Sequence, residues 1–130
     1  MATWADVRRC AGTLPETTEQ PERHWSVRGR AFVFERPLRA ADRAALGDLA
    51  PVDAPLGAWV EDLGAKEALL ASEPEVWFTT PHFDGYPLVL GRVDALDPDE
   101  LAEVVTDAWL VRAPVTLRRR WLAENPPASP

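Results

Sequence analysis

Val76-Trp77-Phe78-Thr79-Thr80-Pro81-His82-Phe83-Asp84-Gly85-Tyr86-Pro87-Leu88-Val89-Leu90-Gly91-Arg92-Val93 reads as strand, turn and strand. Val76 to Thr79 and Leu88 to Val93 are rich in the β-branched and aromatic residues that suit a pleated, buried surface. Between them two prolines stiffen a segment that carries two hydroxyls, an imidazole, a carboxylate and a phenol. Such a turn holds polar groups in a fixed geometry. The predicted unit is a β-hairpin with a chemically furnished tip.

Downstream, Asp97-Pro98-Asp99-Glu100 supplies a cap, a first-turn proline and two acids for the positive end of a helix dipole. Leu101, Val104, Val105, Ala108 and Trp109 then recur at helical spacing until Pro114, and a last helix is predicted from Val115 to Glu124. Upstream, Gly64 to Ala71 is helical and stops before Pro74, Leu56 to Leu63 reads as a strand, and Ala40 to Leu49 as a short helix. A first hairpin joins Trp25-Ser26-Val27 to Ala31-Phe32-Val33-Phe34-Glu35 through Arg28-Gly29-Arg30, while the polar residues 16–23 read as a loop. Thr3 caps an opening helix with Trp4, Val7, Ala11 and Leu14 on one side, closed by Pro15. The order is α, three strands with a short inserted helix, α, two strands and closing helices. It predicts an α+β two-layer sandwich in which an antiparallel five-stranded sheet carries helices on one face. Residues 1–124 form one domain, and the proline-rich residues 125–130 are expected to be a disordered tail.

Composition narrows the functional classes. The chain has 130 residues, 46% of them hydrophobic and 27% charged, and no apolar run approaches the ~20 residues of a membrane span. The N-terminus lacks a basic start followed by an apolar core, so the expected location is the cytoplasm. Cys10, the single cysteine, falls at helical spacing from Val7 and Leu14 and reads as a structural thiol. The net charge of −7 argues against indiscriminate nucleic-acid binding, but it is unevenly spread. Residues 23–43 hold six arginines against Glu35 and Asp42, and residues 112–124 hold four against Glu124. Residues 44–111 hold fourteen acids against Lys66 and Arg92.

Three stretches carry a resemblance: His24-Trp25-Ser26-Val27-Arg28-Gly29-Arg30-Ala31-Phe32, Leu63-Gly64-Ala65-Lys66-Glu67-Ala68-Leu69-Leu70, and Phe78 through Pro87. With the element order, they make residues 2 to 124 resemble the MmcQ/YjbR family. The resemblance implies a small fold similar to that of type III secretion chaperones, and DNA binding by analogy to a winged arrangement. It brings no catalytic residues and no cofactor. Some members of the family occur in antibiotic-producing gene clusters, which implies drug binding or self-protection as another role.

Two sets of candidate residues follow. Arg28 and Arg30 flank Gly29 at a hairpin tip that could reach phosphates, and Arg36, Arg39, Arg118 and Arg119 would extend the surface. Solvation is the plainer role for a tip arginine. Arg118, Arg119 and Arg120 span roughly 200° of a helix, so they cannot all face one ligand. The second set is an aromatic pocket edged by His82, Phe83, Asp84 and Tyr86 and lined by Trp25 and Trp59, where a planar metabolite or antibiotic would stack. A metal at His82 and Asp84 would need His24 from the other hairpin, and no metal is expected. Lys66 reads as a surface residue paired with Glu67. The expectation is a non-enzymatic binding protein, monomer or homodimer, whose partner is DNA or an aromatic small molecule.

Overall fold

The computed structural model describes residues 1–126. Its helices and strands run α1 (Trp4–Gly12), β1 (Thr17–Glu19), β2 (His24–Val27), β3 (Arg30–Glu35), α2 (Ala40–Leu46), β4 (Leu56–Trp59), α3 (Leu63–Ser72), β5 (Trp77–Phe78), β6 (Leu88–Gly91), α4 (Pro98–Arg112) and α5 (Val115–Glu124). The strands form one antiparallel sheet in the order β1-β2-β3-β4-β6-β5. The α+β class is as predicted, with six strands in place of five.

The additional strand is β1, from the segment read as a loop. Thr17-Thr18-Glu19 has no apolar alternation, because it is an edge strand held by backbone pairing to β2, Thr17 opposite Val27 and Glu19 opposite Trp25. Hydrophobic periodicity cannot reveal such a strand. The Glu19 carboxylate adds side-chain anchors, accepting from Arg8 Nε and Nη2 at 2.8 Å each and from the Arg23 amide at 2.9 Å.

The two sheet faces are built differently. Trp25, Val33, Ala58, Val89 and Trp77 point to one face and pack with Val7 and Ala11 of α1 and with Leu101, Val105, Ala108 and Trp109 of α4. Capping sets the entry of each helix: Thr3 and Asp6 form a reciprocal capping box at α1, and Asp97 caps α4. Trp109 crosses the layer boundary to donate its indole N–H to the Pro15 carbonyl at 3.1 Å.

The other face is not bare. Phe34, Trp59, Leu88, Leu90 and Phe78 lie on it and are joined by Leu38 and Leu46, around α2, and by Phe83 from the hairpin tip. The main helical layer therefore packs on one face, as predicted, and α2 with a loop adds a thinner cover over part of the other. Two glycines make these layers fit. A Cβ at Gly57 would lie 2.7 Å from the Phe34 ring, and one at Gly91 would lie 2.5 Å from the Trp77 ring. At the end of the chain Asn125 closes α5, its amide donating to the Trp121 carbonyl, and the predicted tail otherwise falls largely outside the described residues. No described helix is long and apolar enough to cross a membrane.

Candidate functional site

The furnished hairpin tip folds into two successive turns. Pro81–Phe83 form one turn of 3-10 helix. Phe83-Asp84-Gly85-Tyr86 then make a type II turn, closed by the Tyr86 amide on the Phe83 carbonyl at 3.0 Å, with Gly85 at φ +82°. A side chain at that φ would be strained, which accounts for the glycine.

What holds this tip down is Lys66, which lies inside the fold and not on the surface as its sequence context suggests. Lys66 is buried, 6% exposed, and makes no surface pair with Glu67. Asp62 caps α3 by accepting from the Ala65 amide at 2.8 Å, and the next residue, Lys66, points inward from the first turn. Its Nζ donates to the carbonyls of Phe83 at 2.8 Å and Tyr86 at 3.0 Å. Burial lowers the Lys66 pKa, and the nearby Asp84 carboxylate opposes that shift. The ammonium thus latches both turns to α3.

With the tip fixed, Phe83 packs on the thinner layer and, with His82 and Tyr86, borders a hollow of about 390 Å³. Its remaining walls come from His24 of β2, Ala31 and Phe34 of β3, Trp59 of β4, Leu88 of β6 and Arg112 at the end of α4. The rings meet in ordered contacts: His24 stacks on Phe34 with centroids 5.6 Å apart, and His82 meets Phe83 edge-on at 4.8 Å. The Arg112 guanidinium lies 4.1 Å over the Trp59 ring, and its Nε donates to the Ala31 carbonyl at 3.0 Å. Among the described residues, no aspartate or glutamate lines the hollow.

Of the predicted ligand residues, Trp59, His82, Phe83 and Tyr86 are brought together. Trp25 is not. It lies on the helix-facing side of the sheet, 2% exposed and stacked on Trp4 at 6.3 Å, because it pairs across β2 and β3 with Val33 whereas His24 pairs with Phe34. One residue of register decides which face a side chain joins. Asp84 is exposed on the turn and does not line the hollow. The contributions of His24, Phe34 and Arg112 were missed. Alternation along the first hairpin could have put His24 and Phe34 on one face, but nothing local signals that the last residue of α4 reaches them. Among the described residues, no group of three His, Cys, Asp or Glu side chains could hold a metal ion. Cys10 is half-buried, and burial raises its thiol pKa.

The six arginines proposed for nucleic acid do not form one surface. Arg28 and Arg30 are at the hairpin tip, whereas Arg36 and Arg39 follow the opposite end of β3, about 20 Å away at the rise of an extended strand. Arg28 makes a two-pronged pair with Glu16, Nε to Oε1 at 2.7 Å and Nη2 to Oε2 at 3.1 Å. Arg30 donates to the Arg112 carbonyl at 3.2 Å and Arg118 to the Leu110 carbonyl at 3.3 Å. Arg36 is folded under α2, 3.4 Å from the Asp42 carboxylate and 5.3 Å over the Phe83 ring. Asp42 also accepts from the Arg39 amide at 2.9 Å; that bond first, and Arg36 further, holds its carboxyl below the usual range. Arg39 and Arg119 have exposed side chains without an ion pair among the described residues.

The acidic middle of the sequence gathers elsewhere. Glu61, Glu73, Glu100, Glu103 and Asp107 border a groove of about 660 Å³ between α3 and α4, with Trp59 and Trp77 among its walls. Trp59 borders both this acidic groove and the acid-free hollow. Charge is thus segregated by tertiary structure as well as along the chain.

An antiparallel sheet, a helical layer behind it and a latched hairpin tip in front define a small α+β domain with an aromatic hollow between the tip and the sheet. This chain belongs to the YjbR family, whose sequence profile matches residues 12–111. It is 48% identical over 128 residues to the uncharacterized protein Rv2570 of Mycobacterium tuberculosis and, equally, to the uncharacterized protein Mb2600 of Mycobacterium bovis. In both cases the match spans 96% of this chain and 99% of the relative. No solved structure matches the chain significantly.

Proposed function

We propose that this protein is a non-enzymatic binding protein that takes a planar aromatic small molecule in the hollow between Trp59 and the hairpin tip. One observation carries the reading: six rings, from His24, Phe34, Trp59, His82, Phe83 and Tyr86, converge from separate elements on a single space of about 390 Å³. That size suits a compound of two or three fused rings, and mostly apolar walls with a few polar groups are typical of ligand sites. The Lys66 latch supports it further, because a tip held in place needs little ordering when a ligand binds.

The test is quenching of tryptophan emission across a panel of planar metabolites and antibiotics, repeated on Trp59→Phe. Of the six tryptophans Trp59 alone borders this hollow, so saturable quenching should fall sharply in the variant. A panel without saturable response, or one unaffected by the substitution, would remove the proposal.

DNA contact is the second reading. The observation in its favour is that Arg30 of the hairpin tip donates to the carbonyl of Arg112 at the end of α4, after which the chain turns into α5, the helix that carries Arg118 and Arg119. Against it, Arg28, Arg30, Arg36 and Arg118 already serve internal partners. It requires binding that weakens steeply with salt and a shallower salt dependence in Arg28→Ala and Arg119→Ala.

A further inference from the structure

The aromatic hollow contains an unanswered positive charge. Arg112 is half-buried, and among the described residues its guanidinium forms no ion pair. Only Nε is engaged, by the Ala31 carbonyl, which leaves the two terminal amino groups without a protein acceptor. Another cation, Arg30, donates to the Arg112 carbonyl, and burial followed by the Arg30 charge lowers the Arg112 pKa. A partly desolvated cation with no counter-ion is costly, and the usual remedy in proteins is a carboxylate. This chain carries twenty-one acidic residues for fourteen basic ones, yet among the described residues no acid lines the hollow, and the imidazoles of His24 and His82 stand on its walls.

Building on the aromatic-ligand reading, we infer that the ligand is a planar aromatic acid, its rings beside Trp59 and Phe83 and its oxyanion received by the free edge of Arg112. Arg112 lines the hollow with its guanidinium carbon 4.1 Å from the Trp59 ring, and a guanidinium whose terminal amino groups are free can receive a carboxylate or sulfonate in a two-pronged fork. His82 is exposed at the mouth and can donate a further hydrogen bond.

Two fluorescent probes separate the claims. 8-Anilinonaphthalene-1-sulfonate and uncharged N-phenyl-1-naphthylamine share their rings and differ by the anionic group. The sulfonate should bind the native protein at least about tenfold more tightly than the neutral probe. Arg112→Gln should weaken the sulfonate by roughly 10- to 100-fold, the range of a charge-assisted hydrogen bond or two, and change the neutral probe by less than about threefold. His82→Gln, at an exposed position, should weaken only the sulfonate, by a few-fold. Equal affinity of the two probes for the native protein would overturn the acid specificity while leaving the aromatic site standing, and so would an equal loss of both in Arg112→Gln. Binding of neither probe, or binding of both unchanged in Trp59→Ala, would overturn the aromatic site and this inference together. The native-protein comparison decides the matter even if Arg112→Gln does not fold.

Discussion

Lys66→Met should loosen the hairpin tip selectively, and its cost can be worked from two contacts. The substitution keeps most of the apolar stem but removes hydrogen bonds of 2.8 Å and 3.0 Å from a charged donor to the carbonyls of Phe83 and Tyr86. Hydrogen bonds to charged groups contribute about 1.5–3 kcal/mol each. Against this, methionine abolishes the penalty of burying an ammonium, and water can reach the freed carbonyls on an otherwise exposed turn. The net expectation is a loss of about 1–3 kcal/mol in urea unfolding with an unchanged m-value. Amide exchange should accelerate at Tyr86 and Leu88, whose N–H groups bond within the latched turn, far more than in α4. The pH dependence has a definite sign. Burial lowers the folded-state pKa of Lys66 below its ordinary 10.5, so between the two values the native state binds fewer protons than the unfolded chain. The stability advantage of wild type over Lys66→Met should therefore grow as pH rises through that window. Unchanged unfolding and unchanged exchange in Lys66→Met would refute the latch.

Gly57→Ala should cost about 1–3 kcal/mol by overpacking, because its Cβ would lie 2.7 Å from the Phe34 ring, and the displaced ring should also weaken probe binding; calorimetry and titration together check this. Glu19, whose pKa is lowered to about 2 by Arg8 first and by the Arg23 amide next, should contribute stability that is fully present above its ordinary 4.5 and lost as pH falls toward 2. Acid titration of stability should therefore be flatter in Glu19→Gln than in wild type between those limits. Arg28→Ala should leave the thermal midpoint unmoved, since both side chains of its pair with Glu16 are well exposed, 55% and 44%; a clear drop in melting temperature would show that the edge strand depends on it.

Local sequence was informative wherever structure depends on nearest neighbours. Asp97 and Pro98 announced α4, and the apolar spacing from Leu101 to Trp109 announced its buried stripe. The turn chemistry of Arg28-Gly29 and Asp84-Gly85 marked both hairpins, and Arg28, Gly29 and Gly85 do take positive φ. The polar strand Thr17–Glu19 stayed hidden because an edge strand paired through its backbone needs no apolar pattern. The candidate site was legible in part: Trp59, His82, Phe83 and Tyr86 could be named, whereas Trp25 lies on the other side of the sheet and Arg112 carried no local signal of its place.

The amino-acid order alone determined the class of fold, the two hairpins and the family, since capping, periodicity and turn preference act over a few residues. Only the tertiary structure decided that His24 and His82 share a wall, that Lys66 turns inward to grip the tip, and that Arg112 reaches the aromatic hollow from the far end of α4. Those contacts join residues separated by 17 to 81 positions along the chain, where register and packing, not local preference, choose the neighbours.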